Sequence, residues 1–549
     1  MGLGRRQADG GLVMKLSATL LTMIALLSLP LLLRGGKHEE LKPAFQTSDR
    51  CMACHNGLTD TQGKDISIGL SWRASVMGNS SRDPYWQASV RRETIDHPAV
   101  SAEVQDECSI CHMPIVRYEA AMQGKKAEPF KFFPLAQNGT KESRDGVSCA
   151  VCHQISSERL GTKESFTGQF KVDAPSQKDV RPEFGPFAVD PGHQRIMQSS
   201  TGGFTPMAAS HIRDSALCAT CHTLYTTARG EGGKAIGTLP EQVPFLEWQH
   251  SSYVNEATCQ SCHMPEVKGA VGITAVLPVM REGMHQHTFT GGNFLLPRAL
   301  DKYRNELDTR ALPQELQADS ERTIQFLQTQ AAKVAVKNLD VNGSTMRVDV
   351  EVENKTGHKL PTAYPSRRAW LWVKVTDRDG HTVFESGKLN SDGSIAGNDN
   401  DADPTKYEPY YREITSADQV QIFEDILGDE RGQVTTGLLK GVRYLKDSRL
   451  LPQGFDKATT SKDIATYGNA TDDPNFAAGG ALVRYSVPLG NAAGPFHVQA
   501  ELWYQPIGFR WAHNLEPYLQ ADEPKRFVNI YNAMSNVSAL KLAGAEATR

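Results

Sequence analysis

Apolar and polar positions alternate with a period of two beyond residue 332, the clearest pattern in the chain. Met346, Val348, Val350 and Val352 alternate with Arg347, Asp349, Glu351 and Glu353, which puts four apolar side chains on one face of a strand over 345–353. The same reading predicts strands over 333–336, 369–375, 481–487 and 496–504. Repeated short strands of this kind predict a β-sandwich over 333–549, with two late helices near 510–519 and 525–534. Before it, Pro313 can open a helix over 313–331 whose apolar face is Leu316, Ile324 and Leu327. That helix reads as a connector over 301–332. Residues 37–300 hold no sustained period and carry Gly/Pro punctuation such as Pro182-Glu-Phe-Gly-Pro186, which predicts short helices joined by irregular segments. At the start, Arg5, Arg6 and Lys15 precede an apolar run from Leu16 to Leu33, an export segment over 1–36. No A-x-A site follows, and the run is about the minimum that spans a bilayer. A cleaved signal and an uncleaved inner-membrane anchor are therefore both open.

The cysteines change the picture of the middle region. All ten fall into five copies of one pattern: Cys51-Met-Ala-Cys54-His55, Cys108-Ser-Ile-Cys111-His112, Cys149-Ala-Val-Cys152-His153, Cys218-Ala-Thr-Cys221-His222 and Cys259-Gln-Ser-Cys262-His263. Cys-x-x-Cys-His is the attachment signature of c-type haem, in which the two thiols add to the vinyl groups and the histidine ligates the iron. A zinc half-site, a redox dithiol or five disulfides would use the cysteines but would not need histidine at the next position five times over. The pattern predicts five covalent haems c between 37 and 300, about 50 residues for each, so the cofactors and not extended sheet would fill that core. The motif starts are 57, 41, 69 and 41 residues apart, and the two equal gaps hint at paired haems.

At 549 residues the length suggests two to four domains. A net charge of −4 and 22% charged residues give no basic patch for nucleic acid. The expected fold class is α+β and multidomain: a mainly helical and irregular multihaem region over 37–300, then the β-sandwich.

The chain resembles the multihaem c-type cytochromes that join a haem module to a C-terminal sandwich. The stretches that carry the resemblance are Trp72-Arg-Ala-Ser-Val-Met-Gly-Asn-Ser-Ser-Arg-Asp-Pro84, Asp145-Gly-Val-Ser-Cys149, Ser215-Ala-Leu-Cys218-Ala-Thr-Cys221-His222, the two Cys-His-Met-Pro sequences ending at Pro114 and Pro265, His287-Thr-Phe-Thr-Gly-Gly-Asn293 and Gly357-His-Lys-Leu-Pro-Thr362. The resemblance implies electron transfer with redox partner proteins. It also implies haem attachment on the outer side of the inner membrane, hence a periplasmic or extracytoplasmic location.

An iron that only transfers electrons needs a sixth ligand. Seven non-proximal histidines are candidates: His97, His193, His211, His250, His285, His287 and His358. His211, seven residues before Cys218, and His287, after the last motif, are placed best in the chain, followed by His97. His358 stands on a Gly-x-x-x-Pro turn, and Met77 offers a thioether; each has the alternative of an ordinary packing or hydrogen-bonding role. Arg73, Arg82, Arg367 and Arg368 are candidate partners for haem propionates. The run Asn398 to Asp403 reads as a solvated acidic turn, with calcium as the alternative. No catalytic residue is assigned. Seven imidazoles are enough to close five irons, which favours an electron carrier; the alternative is an oxidoreductase acting on a small nitrogen or sulfur compound at an open iron, with Tyr85, Arg91, Arg92 and His193 as spare donors. Oligomeric state is left open.

Overall fold

Four alternating apolar residues nucleate one of two large sheets. In the computed structural model, which describes residues 44–173 and 181–549, the strand is Thr345–Asn354 and Met346, Val348, Val350 and Val352 are all buried. It pairs antiparallel with Ala332–Asn342 on one side and Gly480–Pro488 on the other. Glu413–Ile414 and Phe476–Ala477 add to Gly480–Pro488. A second five-stranded sheet is built on Arg368–Thr376, with His497–Gln505 on one edge and Thr382–Ser386 and Ile422–Phe423 on the other; Leu540–Thr548 closes it beyond His497–Gln505. Inward residues of both sheets, among them Val348, Val350, Leu371, Val373, Val498 and Leu502, meet in one core. Each such side chain stabilises the fold by roughly 1.5–3 kcal/mol, and a slip of one residue would turn the whole row outward, so the register is strongly specified.

The chain is thus α+β, with short helices in its first half and sheets in its second. The expected connector is the helix Pro313–Phe326, which runs through a wider helical turn, Leu327–Ala331, straight into the strand Ala332–Asn342. Glu315 caps it by accepting from the Leu312 N–H at 2.9 Å. The late helices are Phe509–His513, followed by the short turn Glu516–Tyr518, and Asp522–Asn532. The last packs on the helix Pro84–Asp96, where Phe527 meets Tyr85 at 4.9 Å and Glu523 pairs with Arg91 at 2.8 Å. Residues Ala44–Arg549 form one compact unit, so the boundary read at 333 is a change of secondary structure across which packing continues. The export reading over 1–36 lies outside the described residues. Among the described residues no helix is long and apolar enough to cross a membrane.

Two of the stretches that carried the family resemblance fit each other. Trp72 Nε1 donates to Val147 O at 2.8 Å and Val147 N–H donates to Met77 O at 3.1 Å. Between them Gly146 adopts φ +59°, and a Cβ there would lie 2.6 Å from Gly78 O. Gly146→Ala is therefore expected to lose about 1–2 kcal/mol from the left-handed backbone alone and more from the clash, read as a lower denaturation midpoint.

Candidate cofactor-binding cavity

Each Cys-x-x-Cys-His occupies one helical turn, so that positions i, i+3 and i+4 share a face. The second motif ends the helix Ser101–His112, the third opens Cys149–Gln154, and the fifth is the helix Cys259–His263. In the first and fourth the histidine N–H donates to the carbonyl of the first cysteine, at 3.0 Å for His55 and 2.9 Å for His222. Four of the five rings are aimed by backbone carbonyls. Nδ1 of His55, His153 and His263 lies 2.6 Å from the oxygens of Ile273, Phe184 and Thr290, and Nδ1 of His112 lies 3.1 Å from Ser80 O. A carbonyl can only accept, so the proton sits on Nδ1 and the Nε2 lone pair is left for a metal. Burial lowers the pKa of all five, to about 4 for His112 and His222, which keeps them neutral at pH 7.

The five turns open on one continuous cavity of about 1860 Å³, lined by all ten cysteines and all five motif histidines. A site for one small molecule holds roughly 300–1,000 Å³. The ten thiols are free of disulfides. Three pairs from different motifs lie side by side: Cys51 with Cys149, Cys111 with Cys221, and Cys218 with Cys259. Serines brace two of these junctions, Ser48 Oγ accepting from Cys149 N at 3.1 Å and Ser215 Oγ from Cys259 N at 3.0 Å. Motifs one and three, two and four, and four and five are therefore neighbours. The equal spacing of motifs two and three along the chain does not translate into such a junction.

Two further imidazoles stand opposite motif histidines. The rings of His287 and His153 lie 6.2 Å apart at 18°, and those of His358 and His263 lie 6.3 Å apart at 8°. Two imidazoles on one metal, with bonds of about 2 Å and each ring centre roughly 1.1 Å behind its nitrogen, are separated by about 6 Å. Nδ1 of His287 is 3.0 Å from His285 O and that of His358 is 2.9 Å from Lys359 O, so both again turn Nε2 away from the backbone. Burial lowers their pKa values to about 3 and about 4.

No protein-family model and no curated protein matches the chain. Among solved structures it is similar to a penta-heme cytochrome c552 from Thermochromatium tepidum, at 14% identity and a TM-score of 0.49 over 92% of this chain and 99% of that one.

The donor set on the wall suits haem c: paired thiols one helical turn apart, neutral imidazoles with Nε2 free, and two opposed imidazole pairs at a metal's span. The other sequence candidates are distributed unevenly. His193, His285 and Met77 line the cavity. His193 has both nitrogens engaged, by Asp190 at 2.5 Å and Leu277 O at 2.8 Å. His97, His211 and His250 are not on the wall. His211 donates from Nε2 to Ile155 O at 2.8 Å and packs on Phe184, bracing motif three against the approach to motif four. His97 lies buried with Nε2 3.8 Å from Glu93, and His250 Nε2 is 3.0 Å from Asp456 O. Nearness in sequence to a motif did not place an imidazole on the wall, because the segment before Cys218 faces motif three instead.

Of the four arginines read as candidates, only Arg367 lines the cavity; Arg73 pairs with Glu315, Arg82 donates to Asp308 O at 2.8 Å, and Arg368 pairs with Asp401 at 2.7 Å. Arg91 and Arg92 are likewise spent on Glu523 and Thr436. The 398–403 run is only partly solvated, with Asp399 exposed. Asn398, Asn400 and Asp401 are buried, both Asp401 oxygens take hydrogen bonds from Arg368, and Asn398 caps the short helix Asp399–Ala402.

The loop that carries His358 is held by the first half of the chain. Fully buried Glu247, on the helix Pro244–Gln249, accepts through Oε2 from Lys359 N–H at 3.1 Å and Thr362 Oγ at 2.5 Å, and its Oε1 lies 3.1 Å from Arg449. Tyr253 OH donates to Lys355 O at 2.9 Å and Ser251 Oγ to Gly357 O at 3.1 Å. The sequence pattern gave no sign of Glu247, since a lone carboxylate in a short helix has no periodic signature.

Proposed function

We propose that the chain is an exported multihaem c-type cytochrome that passes electrons through five covalently attached haems to and from redox partner proteins. The observation that carries this reading is the single cavity onto which all ten motif thiols and all five motif imidazoles open. Bound haem would supply reversible one-electron chemistry at iron. The chain's part is to hold and tune it. Cysteine pairs would fix each macrocycle, motif histidines would each supply a nitrogen to iron, and His287 and His358 a further one at the third and fifth motifs. The apolar surroundings would keep water from the irons and set their potentials. The cysteine contacts between motifs one and three, two and four, and four and five would set the attachment points of those haems side by side. Attachment of this kind implies an extracytoplasmic location, with the segment over 1–36 as signal or anchor.

The expected result is an intact mass, measured after denaturation, that exceeds the mature chain by five haems, with no disulfide. Fewer than five increments would overturn the reading. An oxidoreductase is the second reading, and one observation favours it: four of the seven candidate imidazoles reach the cavity wall, and one of those four, His193, has both nitrogens occupied.

A further inference from the structure

Six arginines stand on the cavity wall among the described residues: Arg50, Arg117, Arg213, Arg281, Arg322 and Arg367. Half of them are already spent. Arg117 pairs with Asp106 at 3.6 Å, Arg322 with Asp319 at 2.9 Å, and Arg367 donates to Thr362 O at 3.1 Å. Arg213 and Arg281 have neither an ion pair nor a guanidinium hydrogen bond among the described residues. Both nevertheless lie against one ring, that of Phe187, with guanidinium carbons 5.5 Å and 5.4 Å from its centre, and Phe187 is itself on the wall. The carboxylates near them in the chain are turned elsewhere. Asp190 takes His193 at 2.5 Å, Asp214 accepts from Ala216 N–H at 2.9 Å, and exposed Glu282 pairs with neither arginine.

Two guanidiniums gathered on one ring repel each other, and a filled cavity would strip water from both. A bound anion offsets both costs. The planar fork of a guanidinium matches a carboxylate with two parallel hydrogen bonds, and a carboxylate is what haem carries on each propionate.

The segments that bring these three residues together are the ones that hold motif three. Phe187 follows the strand Arg181–Gly185, in which Phe184 O takes Nδ1 of His153 at 2.6 Å. Arg213 ends the turn Ser210–Arg213, which is fixed by His211 Nε2 on the oxygen of Ile155, two residues past His153. Arg281 lies in the strand Met280–Arg281, six residues before His287, whose ring faces that of His153. We propose that Arg213 and Arg281 together bind a propionate of the haem at motif three, with Phe187 as the ring on which both pack. The inference rests on the haem reading given above. It moves the propionate role away from Arg73, Arg82 and Arg368, which are spent on protein partners, to two residues that sequence spacing does not single out.

Potentiometric titration of the five-haem protein followed by electron paramagnetic resonance tests it. Each low-spin haem is read by its own signal, and that of motif three is the one lost in His287→Ala. Cations at a propionate disfavour ferric iron, which carries one positive charge more than ferrous iron. Arg213→Gln and Arg281→Gln should therefore each shift the reduction equilibrium of that haem about tenfold toward the oxidised form, a potential about 59 mV lower for one electron. Arg213→Lys and Arg281→Lys keep the charge and should restore most of the shift. Arg195→Gln removes an exposed charge that is not on the wall and should leave the signal in place. The low-spin signals themselves show that the variants are folded. The proposal is overturned if neither glutamine variant lowers a potential, if the haem that moves is not the one lost in His287→Ala, if all haems move alike, or if Arg195→Gln has the same effect. A wild-type count below five haems overturns the attachment reading instead.

Discussion

On the proposed five-haem reading, replacing His358 by alanine is expected to convert one low-spin haem of the oxidised protein to high spin while the covalent haem count stays at five. The ring of His358 stands 6.3 Å from that of His263 and nearly parallel to it, the spacing of two imidazoles that share a metal. Its Nδ1 is committed to Lys359 O, so Nε2 is the only nitrogen it can offer. Thioether attachment depends on the cysteines and not on the sixth ligand, which is why the count should not change. His287→Ala should do the same to the haem of motif three, where the rings are 6.2 Å apart. His211→Ala serves as the contrast. Its Nε2 is spent on Ile155 O, so the spin state should be that of the wild type although stability falls modestly. Low-temperature electron paramagnetic resonance of the three variants decides the assignment; a low-spin spectrum retained in both His287→Ala and His358→Ala would falsify it.

Glu247→Ala should cost about 3–5 kcal/mol of stability, the range for removing one partner of a buried ion pair. Its carboxylate serves three groups from the second half of the chain: the Lys359 N–H, the Thr362 hydroxyl and Arg449. Arg449 keeps Asp447 at 2.7 Å and Asp425 at 3.3 Å, and Lys359 keeps Asp447 at 2.6 Å. Burial works against the charge of Asp447, yet Arg449 and Lys359 hold its pKa down at about 2. The network therefore survives without Glu247, but the loop 354–362 loses its anchor to the helix Pro244–Gln249. The low-spin signal assigned to His358 should broaden or vanish along with the drop in denaturation midpoint. Glu247→Gln, which can still accept from Lys359 and Thr362, should restore most of that signal and only part of the stability. A stability loss with an unchanged His358 signal would make Glu247 a structural residue alone.

What the sequence determined by itself was whatever is written in short-range periodicity. The five attachment turns are legible because Cys, Cys and His at i, i+3 and i+4 must share a helical face. The strands Thr345–Asn354, Arg368–Thr376, Gly480–Pro488 and His497–Gln505 are legible because one side of each alternates into a common core. The last strand, Leu540–Thr548, has little apolar alternation and exists because His497–Gln505 offers it a free edge. Its pairing is a property of the sheet, so no local pattern announces it. The same holds for the site. Which imidazole faces which motif depends on where loops far along the chain return: His287 comes back to His153, and His358 crosses from the second half to His263 under the hold of Glu247. His211, the neighbour of a motif in sequence, is turned elsewhere by one hydrogen bond to Ile155. Arg73, Arg82 and Arg368 found carboxylate or carbonyl partners across the fold that no spacing encodes. Contacts between residues close in sequence follow from backbone geometry and can be read in advance, whereas long-range pairings are decided only when the whole core closes and each buried polar group must find a partner.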